Sequence, residues 1–408
     1  MLYKPEAFDA LTETPWDEER VRGRIRAIVA DTEAAYSPDS FWPADEWDAW
    51  SCPLPLMNLY VGAAGVVWAL DALRRRGYEH DFDLPAAALR IHERWAVQPD
   101  FLQAEEFELP SARESALLAG GTGVALVAWL VAPSDELADE LHSRVLANKH
   151  NDADEVMWGS PGSMLAARAI HESTGDERWA DAWRECADAL LARRDADGLW
   201  SITLYGQTHR GMTPPHGLVG NVGSLLRGGP LLADDVRETL VRDTNAVLAR
   251  TAVVEDGLAN WPHPADRATL EGRDGQIRLQ WCVGAPGTVI AAADYLEEEL
   301  LLAGAELTWR AGPHGMEKGS GICHGTAGNG YALLKTFERT GDERWLDRAR
   351  RFAVHALEQV ERRGHGRYSL FTGDVGVALY AADCLDARAT YPVIDSALTA
   401  PAGTGSSG

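Results

Sequence analysis

The chain has 408 residues, of which 46% are hydrophobic and 25% charged, a balance typical of a globular protein with a large buried core. Asp and Glu number 62 against 38 Lys and Arg, and the formal net charge of −24 argues against binding to nucleic acid or anionic lipid. Five cysteines in a chain of this length do not make a disulfide framework, so we expect reduced thiols and a cytoplasmic protein.

The sequence predicts neither a targeting segment nor a membrane span. Residues Met1–Asp9 have no apolar stretch of the kind that a secretory signal needs, and apolar runs such as Val124–Ala132 are too short to cross a bilayer. We expect one domain over residues 1–398, followed by a flexible tail at 399–408 that is rich in small residues.

A short glycine pattern, Gly-x-x-Gly, recurs along the chain at intervals of roughly 50 residues, the length of a two-helix repeat. Each instance opens an apolar stretch with few charges, which predicts a buried helix, and amphipathic stretches between them predict an outer helical layer. The seven first glycines are Gly62, Gly120, Gly159, Gly217, Gly284, Gly325 and Gly373.

One connector occurs twice with the same sequence, at Thr174–Trp179 and at Thr340–Trp345. Its glycine is expected to end an inner helix, its aspartate to cap the next helix, and its tryptophan to anchor that outer helix to the core. Strand signals are weak, although Leu199–Leu204 and Tyr368–Phe371 are candidates for extended segments. The predicted architecture is therefore all-α, a closed ring of seven helical hairpins.

Two cysteines and a histidine stand just before the first glycines of the fifth and sixth repeats. They are Cys282, Cys323 and His324. Cysteine and histidine are the ligands that zinc prefers, and three protein ligands leave a fourth position open, as in catalytic zinc sites. The alternative is that these cysteines are small core residues, which is the interpretation we give to the three cysteines without such neighbours: Cys52, Cys186 and Cys384.

The ligand set favours thiol activation over water activation. Two thiolates neutralise the charge of a zinc ion, so the metal would be a weak Lewis acid toward carbonyl groups. A third thiol bound there would stay deprotonated near neutral pH, and the electron-rich complex would keep it nucleophilic.

Four further side chains at the same ends of the repeats are candidates for catalysis. His216 precedes Gly217 directly and can move protons, although a capping or buried histidine is the simpler interpretation. Glu155 is a candidate proton donor, base or hydrogen-bond anchor, or else a surface acid. Arg278 and Lys318 can hold a carboxylate or stabilise a developing enolate, unless Lys318 is only a solvated lysine.

The motifs around these residues resemble those of the lanthionine synthetase C-like (LanC-like) family between about Leu59 and Asp395. They comprise Trp-Cys-x-Gly-x-Pro-Gly at Trp281–Gly287, Cys-His-Gly-x-x-Gly at Cys323–Gly328, His-Gly-x-x-Gly at His216–Gly220, and the segments Met157–Gly162 and Ser369–Gly376. The resemblance implies an α/α toroid, a double ring of seven inner and seven outer helices, with a zinc ion at its mouth.

The resemblance also implies an activity. The family's cyclases add a cysteine thiol of a precursor peptide to dehydroalanine or dehydrobutyrine, and its eukaryotic-type members are linked to glutathione addition onto such dehydroamino acids. The end motifs look closer to the eukaryotic-type branch. Val283, however, replaces the polar residue that both branches carry after the first cysteine ligand, and no domain that would make the alkene is fused to the chain.

Site roles carry over residue by residue. Cys282, Cys323 and His324 match the zinc ligands, and His216 matches the histidine proposed to protonate the enolate. Three further positions also match. Arg278 corresponds to the family's arginine before the first zinc ligand, and Glu155 falls where the cyclases carry a catalytic aspartate. Lys318 corresponds to a lysine that eukaryotic-type members use near glutathione.

Two other functions remain open from the sequence. A non-catalytic zinc toroid that binds a peptide or protein partner would be favoured by a fourth protein ligand such as His314. A glycoside-processing enzyme would need two carboxylates facing a cleft, of which Glu155 supplies only one.

Overall fold

A computed structural model of the chain describes residues 2–49, 54–101, 113–263 and 277–398. Two helices precede the first repeat, α1 (Glu18–Ala34) and α2 (Glu46–Ala49). The predicted tail at 399–408 and Cys52 lie outside the described residues. Four short 3-10 helices lie at Pro5–Ala7, Arg113–Ser115, Asn148–His150 and Gly229–Leu231.

Seven helices begin directly after the first glycines of the repeated pattern, and each of these glycines is the N-cap residue of its helix. Their residues are buried almost all round, as their even apolarity predicts. They form the inner ring: α3 (Ala63–Arg75), α5 (Gly121–Val131), α7 (Ser160–Thr174), α9 (Leu218–Leu226), α11 (Ala285–Ala292), α13 (Thr326–Thr340) and α15 (Asp374–Asp386).

Six further helices alternate with the inner ones and bury only one face, as amphipathic helices of an outer layer do. They are α4 (Leu84–Val97), α6 (Asp135–Ala147), α8 (Glu177–Ala192), α10 (Asp234–Thr251), α12 (Glu298–Ala311) and α14 (Glu343–Arg363). The seventh outer position belongs to α1, which packs against α15. The last hairpin of the ring is thus built from the two ends of the described chain, and the predicted double ring of seven and seven helices is confirmed.

The second glycine of each pattern has a steric reason that is the same in all seven repeats. A Cβ atom there would lie between 1.9 and 2.3 Å from the carbonyl oxygen of the residue six positions earlier. Only glycine permits so close an approach, because it has no Cβ. The pairs are Gly65 and Leu59, Gly123 and Leu117, Gly162 and Val156, Gly220 and Pro214, Gly287 and Trp281, Gly328 and Ile322, and Gly376 and Leu370.

The repeated connector behaves as predicted. Gly175 and Gly341 end their inner helices in the left-handed conformation, with φ of 69° and 67°. The Asp176 and Asp342 carboxylates each accept a hydrogen bond of 3.0 Å from a backbone N–H two residues on. The two connector tryptophans are buried, so the outer helices are anchored as expected: Trp179 and Trp345.

Extended structure in the described ranges is limited to two small antiparallel hairpins. The first joins β1 (Ile202–Leu204) to β2 (Gln207–His209), and the second joins β3 (Val253–Glu255) to β4 (Leu258–Asn260). The prediction for Leu199–Leu204 is therefore correct in its second half. The Tyr368–Phe371 segment forms no strand, which corrects that prediction, and its second half, Leu370 and Phe371, belongs to the turn that leads into α15.

Along the parts of the chain that the structure describes, every helix is too short or too polar to serve as a membrane span.

Candidate active site

The residues two positions before each first glycine occupy equivalent places around the ring. There, backbone hydrogen bonds join one repeat to the next: the N–H of Cys323 donates to the carbonyl of Phe371 (2.8 Å), that of Phe371 to Tyr60 (3.1 Å), and that of Tyr60 to Leu118 (2.9 Å). Cys282 stands at the same position of its own repeat. Residues far apart in sequence thus meet at the mouth formed by the N-terminal ends of the inner helices.

Cys282, Cys323 and His324 converge as the sequence predicted. Their ligand atoms all lie within 4.8 Å of one another, and no other three His, Cys, Asp or Glu side chains in the described ranges form such a group. The Cys323 Sγ atom lies 3.6 Å from Nε2 of His324. The three residues therefore can hold a metal ion, whose position would lie before the N-termini of α11 and α13, where helix dipoles favour thiolates.

Each sulfur also accepts a hydrogen bond from a polar side chain. Tyr60 donates its hydroxyl to Sγ of Cys323 (2.9 Å), and Gln280 donates its amide to Sγ of Cys282 (2.8 Å). The pKa of Cys282 lies well below its usual value, because the Cys323 thiol donates a hydrogen bond to its sulfur and so outweighs the effect of burial, with His324 and Gln280 adding to the shift. The site thus favours negative charge on the sulfur of Cys282, whereas burial, together with that charge, raises the pKa of Cys323.

His216 is held by Glu155 at the same end of the ring. Nδ1 of His216 lies 2.7 Å from the Glu155 carboxylate, which is fully buried and also accepts the backbone N–H groups of Met157 (3.0 Å) and Trp158 (2.5 Å). Burial lowers the pKa of His216, but the hydrogen bond and charge of Glu155 outweigh it and raise the pKa above its usual value, with Cys282 contributing. Glu155 is therefore a hydrogen-bond anchor rather than a surface acid.

Lys318 lies near His324, whereas the side chain of Arg278 is exposed. Nζ of Lys318 is 5.8 Å from the centre of the Trp47 ring, and that ring packs edge-on against His324 at 5.1 Å. Lys318, Trp47, His324 and Arg367 line one small cleft. The Arg278 side chain is exposed and forms no hydrogen bond or ion pair within the described ranges.

The remaining predictions about cysteine and histidine also have clear outcomes. Cys186 and Cys384 are fully buried packing residues, as predicted. His314 lies outside the group that can hold a metal, and its Nε2 is instead 2.9 Å from the carbonyl oxygen of Leu279. The fourth protein ligand that a saturated site would need is therefore absent from the described residues.

Sequence reasoning missed Tyr60, Gln280 and Trp47. Tyr60 had a signal, because it stands two residues before Gly62, just as Cys323 stands before its own glycine. Trp47 had none, since it belongs to the short helix α2 outside the repeats.

A cavity of about 680 Å³ lies at the opposite end of the ring, where the inner helices finish. None of the predicted site residues lines it. Its walls carry ion pairs such as Arg76 with Asp383 (2.5 Å) and Lys335 with Asp395 (3.0 Å), which place cations beside the negative C-terminal ends of helices.

A ring of seven helical hairpins with a Cys₂His group at its mouth defines a class of protein, the α/α toroids whose mouth can hold a metal ion. The chain matches the sequence profile of the family described as lanthionine synthetase C-like protein over residues 54–398, and it belongs to that family. The resemblance drawn from the motifs is thereby confirmed.

Relatives agree with this assignment. The chain is 25% identical over 277 residues to a Danio rerio protein named glutathione S-transferase LANCL1, covering 63% of this chain and 65% of the relative. It is 28% identical over 131 residues to LanC-like protein GCL1 of Arabidopsis thaliana, covering 28% and 30%. Both are eukaryotic proteins, in line with the predicted likeness to the eukaryotic-type branch. Among solved structures, nisin cyclase shares the fold with a TM-score of 0.58 and 14% identity, covering 90% of this chain and 94% of that one.

Proposed function

We propose that this protein catalyses the zinc-dependent addition of a thiol, from glutathione or a peptide cysteine, to dehydroalanine or dehydrobutyrine in a peptide or protein, which forms a thioether. The observation that carries the proposal is the presence of a Cys₂His group and a carboxylate-held histidine at one mouth of the ring. Family membership and the name of the Danio rerio relative support it. A cytoplasmic location, where glutathione is abundant, belongs to the same proposal.

The chain's donor set fits a zinc ion. Tetrahedral zinc with bonds of about 2.3 Å to sulfur and about 2.0–2.1 Å to nitrogen separates the two donor atoms by about 3.6 Å. The Cys323 Sγ to His324 Nε2 distance is 3.6 Å. When bound, zinc keeps a thiol of the substrate deprotonated near neutral pH.

The chain's own residues supply the rest of the reaction. As the thiol sulfur forms a bond to the β-carbon, the electrons of the alkene move toward the α-carbon and the adjacent carbonyl oxygen. Protonated His216 donates its proton to the α-carbon, while Glu155 holds Nδ1 of the ring and stabilises the cation. Lys318, next to His324, binds a substrate carboxylate or stabilises the enolate, and Arg278 does so from the exposed side.

The two alternative functions lack comparable support in the described part of the chain. A saturated, non-catalytic zinc site would need a fourth protein ligand, and His314 is committed to a backbone carbonyl instead. A glycoside-processing enzyme would need an accessible pair of carboxylates, but Glu155 is buried and its oxygens are occupied by His216 and two backbone N–H groups.

The test is to incubate the zinc-loaded protein with glutathione and a dehydroalanine peptide and to follow the thioether adduct by mass spectrometry. We expect Cys323→Ala to lose both zinc and activity, and His216→Ala to keep its zinc but lose at least about 100-fold in rate, because a positioned general acid contributes that much. His365→Ala, at an exposed histidine, is the matched control.

Turnover by His216→Ala at the wild-type rate would exclude His216 as the acid. An absence of adducts with both glutathione and a cysteine-containing peptide would contradict the proposed reaction itself.

A further inference from the structure

Hydrogen bonds reach both ligand sulfurs from side chains that are themselves buried. Tyr60 donates to Cys323 and Gln280 donates to Cys282, at 2.9 and 2.8 Å, and both donors are only 3% exposed. Each sulfur therefore has one neutral donor of its own. Tyr60 comes from the first repeat, and Gln280 comes from the segment that carries Cys282. A buried arrangement of this kind is costly to leave unpaired, so its geometry is held in place.

The structure fixes the position of Tyr60 through several contacts. The buried carboxylate of Asp100 accepts three hydrogen bonds of 2.7–2.8 Å from the turn at Met57 and Asn58. The side-chain oxygen of Asn58 in turn accepts the backbone N–H groups of Tyr60 and Val61, both at 2.9 Å. The centre of the Tyr60 ring lies 4.9 Å from that of the Phe371 ring. In this position its hydroxyl reaches Cys323 at the start of the sixth repeat.

The proposed reaction raises a problem of selectivity that these hydrogen bonds address. Two ligand thiolates and the thiolate of the substrate would all stand near one electrophilic alkene. Attack by Cys282 or Cys323 would alkylate the protein and destroy the site. A thiolate that accepts a hydrogen bond spreads its charge onto the donor, which lowers its basicity and hence its nucleophilicity.

We propose that Tyr60 and Gln280 protect the ligand cysteines from alkylation, so that the substrate sulfur is the most nucleophilic sulfur at the site. They act as tuning residues on the ligands rather than as catalytic residues. The inference rests on the proposed function for its purpose, but the protective hydrogen bonds can be tested without the thioether-forming reaction.

The experiment measures alkylation of the zinc-loaded protein by iodoacetamide, with peptide mapping to follow each cysteine separately. Tyr60→Phe removes the donor to Cys323 alone, and Gln280→Leu removes the donor to Cys282 alone. If one lost hydrogen bond raises sulfur basicity by about one pKa unit, a Brønsted slope of about 0.4–0.5 gives a rate increase of about threefold. We expect this increase at Cys323 in the first variant and at Cys282 in the second.

Tyr380→Phe is the matched control, because the hydroxyl of Tyr380 is also buried but bonds to the carbonyl of Ala349 at 2.7 Å. Its ligand cysteines should react at the wild-type rate. A second readout uses cobalt in place of zinc: the sulfur-to-cobalt charge-transfer absorption should move to longer wavelength in Tyr60→Phe and stay unchanged in Tyr380→Phe.

Two results would overturn the proposal. One is wild-type alkylation rates at both cysteines in variants that retain the metal. The other is loss of the metal from both variants, since the hydrogen bonds would then hold the site together rather than protect it. Neither result depends on whether glutathione adds to dehydroalanine, so this inference and the proposed function can fail separately.

Discussion

At the scale of single residues, the contact between Glu155 and His216 determines the chemistry of the proposed acid. The carboxylate of Glu155 is not placed to bind a substrate, because it is buried and already accepts three hydrogen bonds. Its effect is to keep the imidazole in one orientation and to raise its pKa. In this respect the pair resembles the carboxylate–histidine pairs that orient metal ligands and catalytic bases.

Replacing Glu155 with glutamine is expected to slow thioether formation by roughly 10–100-fold, the usual effect of losing such a partner. Because protonated His216 is the proposed acid, we expect activity to fall as pH rises through the pKa of His216. Glu155 raises that pKa, so Glu155→Gln should move the alkaline limb of the kcat/KM profile to lower pH. The pH–rate profile checks this.

Glu185→Gln is the control for this variant, since Glu185 is an exposed acid paired with Lys149 on the outer surface. An unshifted alkaline limb in Glu155→Gln would show that Glu155 does not set the pKa of the group that limits the reaction.

At the scale of helices and turns, the second glycine of each repeat connects the fold to the site. In the sixth repeat, a Cβ on Gly328 would lie 2.0 Å from the carbonyl oxygen of Ile322, the residue before Cys323. The turn that presents the metal ligands therefore depends on the absence of a side chain at Gly328. A substitution there must displace the ligands as well as strain the helix.

Gly328→Ala is expected to lose about 1–3 kcal/mol of stability, the range for overpacking a close-packed site, and to bind zinc more weakly. Gly23→Ala is the matched control, because Gly23 lies in α1 and a Cβ added there would have nothing within 4 Å, so that it should gain about 0.5–1 kcal/mol. Urea unfolding and competition with a chelator measure the two effects. Unchanged zinc affinity in Gly328→Ala would mean that the turn tolerates the shift.

The helical repeats and the convergence of the Cys₂His group could be predicted from sequence because both follow the spacing of the repeated glycines. Cys282 and Cys323 stand at the same offset from their glycines, so the ring brings them together whatever the lengths of the outer helices. The partner of His216 could not be fixed in this way. The contact depends on how the turn before α7 folds its buried carboxylate, and sequence spacing does not show this.

The surroundings of Lys318 depend in the same manner on structure outside the repeats. Trp47, whose ring lies near both Lys318 and His324, comes from the short helix α2, which is outside the repeats. Arg278 shows the opposite case. Its position four residues before Cys282 is evident from the sequence, but its side chain is exposed and forms no hydrogen bond or ion pair within the described ranges.

At the scale of the whole molecule, the far end of the ring is held by partly buried ion pairs. Asp395, on the segment that follows α15, pairs with Lys335 of α13 (3.0 Å) and with Arg227 just after α9. Although burial alone would raise the pKa of Asp395, these cations lower it to about 2. One carboxylate thus ties the end of the described chain to two inner helices.

Asp395→Asn is expected to cost up to about 3 kcal/mol, because Arg227 and Lys335 are partly buried cations that both lose a carboxylate partner, although Lys335 keeps Glu338 at 3.2 Å. Since the folded-state pKa is depressed, the stabilisation is present above the ordinary aspartate pKa of 3.8 and is lost as pH falls through about 2. Wild-type stability should therefore decline over this range more steeply than that of the variant. Urea unfolding at several pH values tests this.

Asp181→Asn is the control, since Asp181 forms an exposed pair with Arg184 that is worth less than about 1 kcal/mol. Equal losses of unfolding free energy in the two variants would contradict a stabilising role for the Asp395 ion pairs.

The hairpins form a closed ring, whereas the polypeptide is synthesised sequentially from its N-terminus. Helix α1 is made before all seven repeats, yet its packing partner α15 belongs to the seventh. The hydroxyl that reaches Cys323 likewise comes from Tyr60, in the first repeat. The carbonyl of Phe371, which accepts the backbone N–H of Cys323, belongs to the seventh repeat. A nascent chain therefore cannot complete the surroundings of its Cys₂His group until that repeat has been made and the ring has closed.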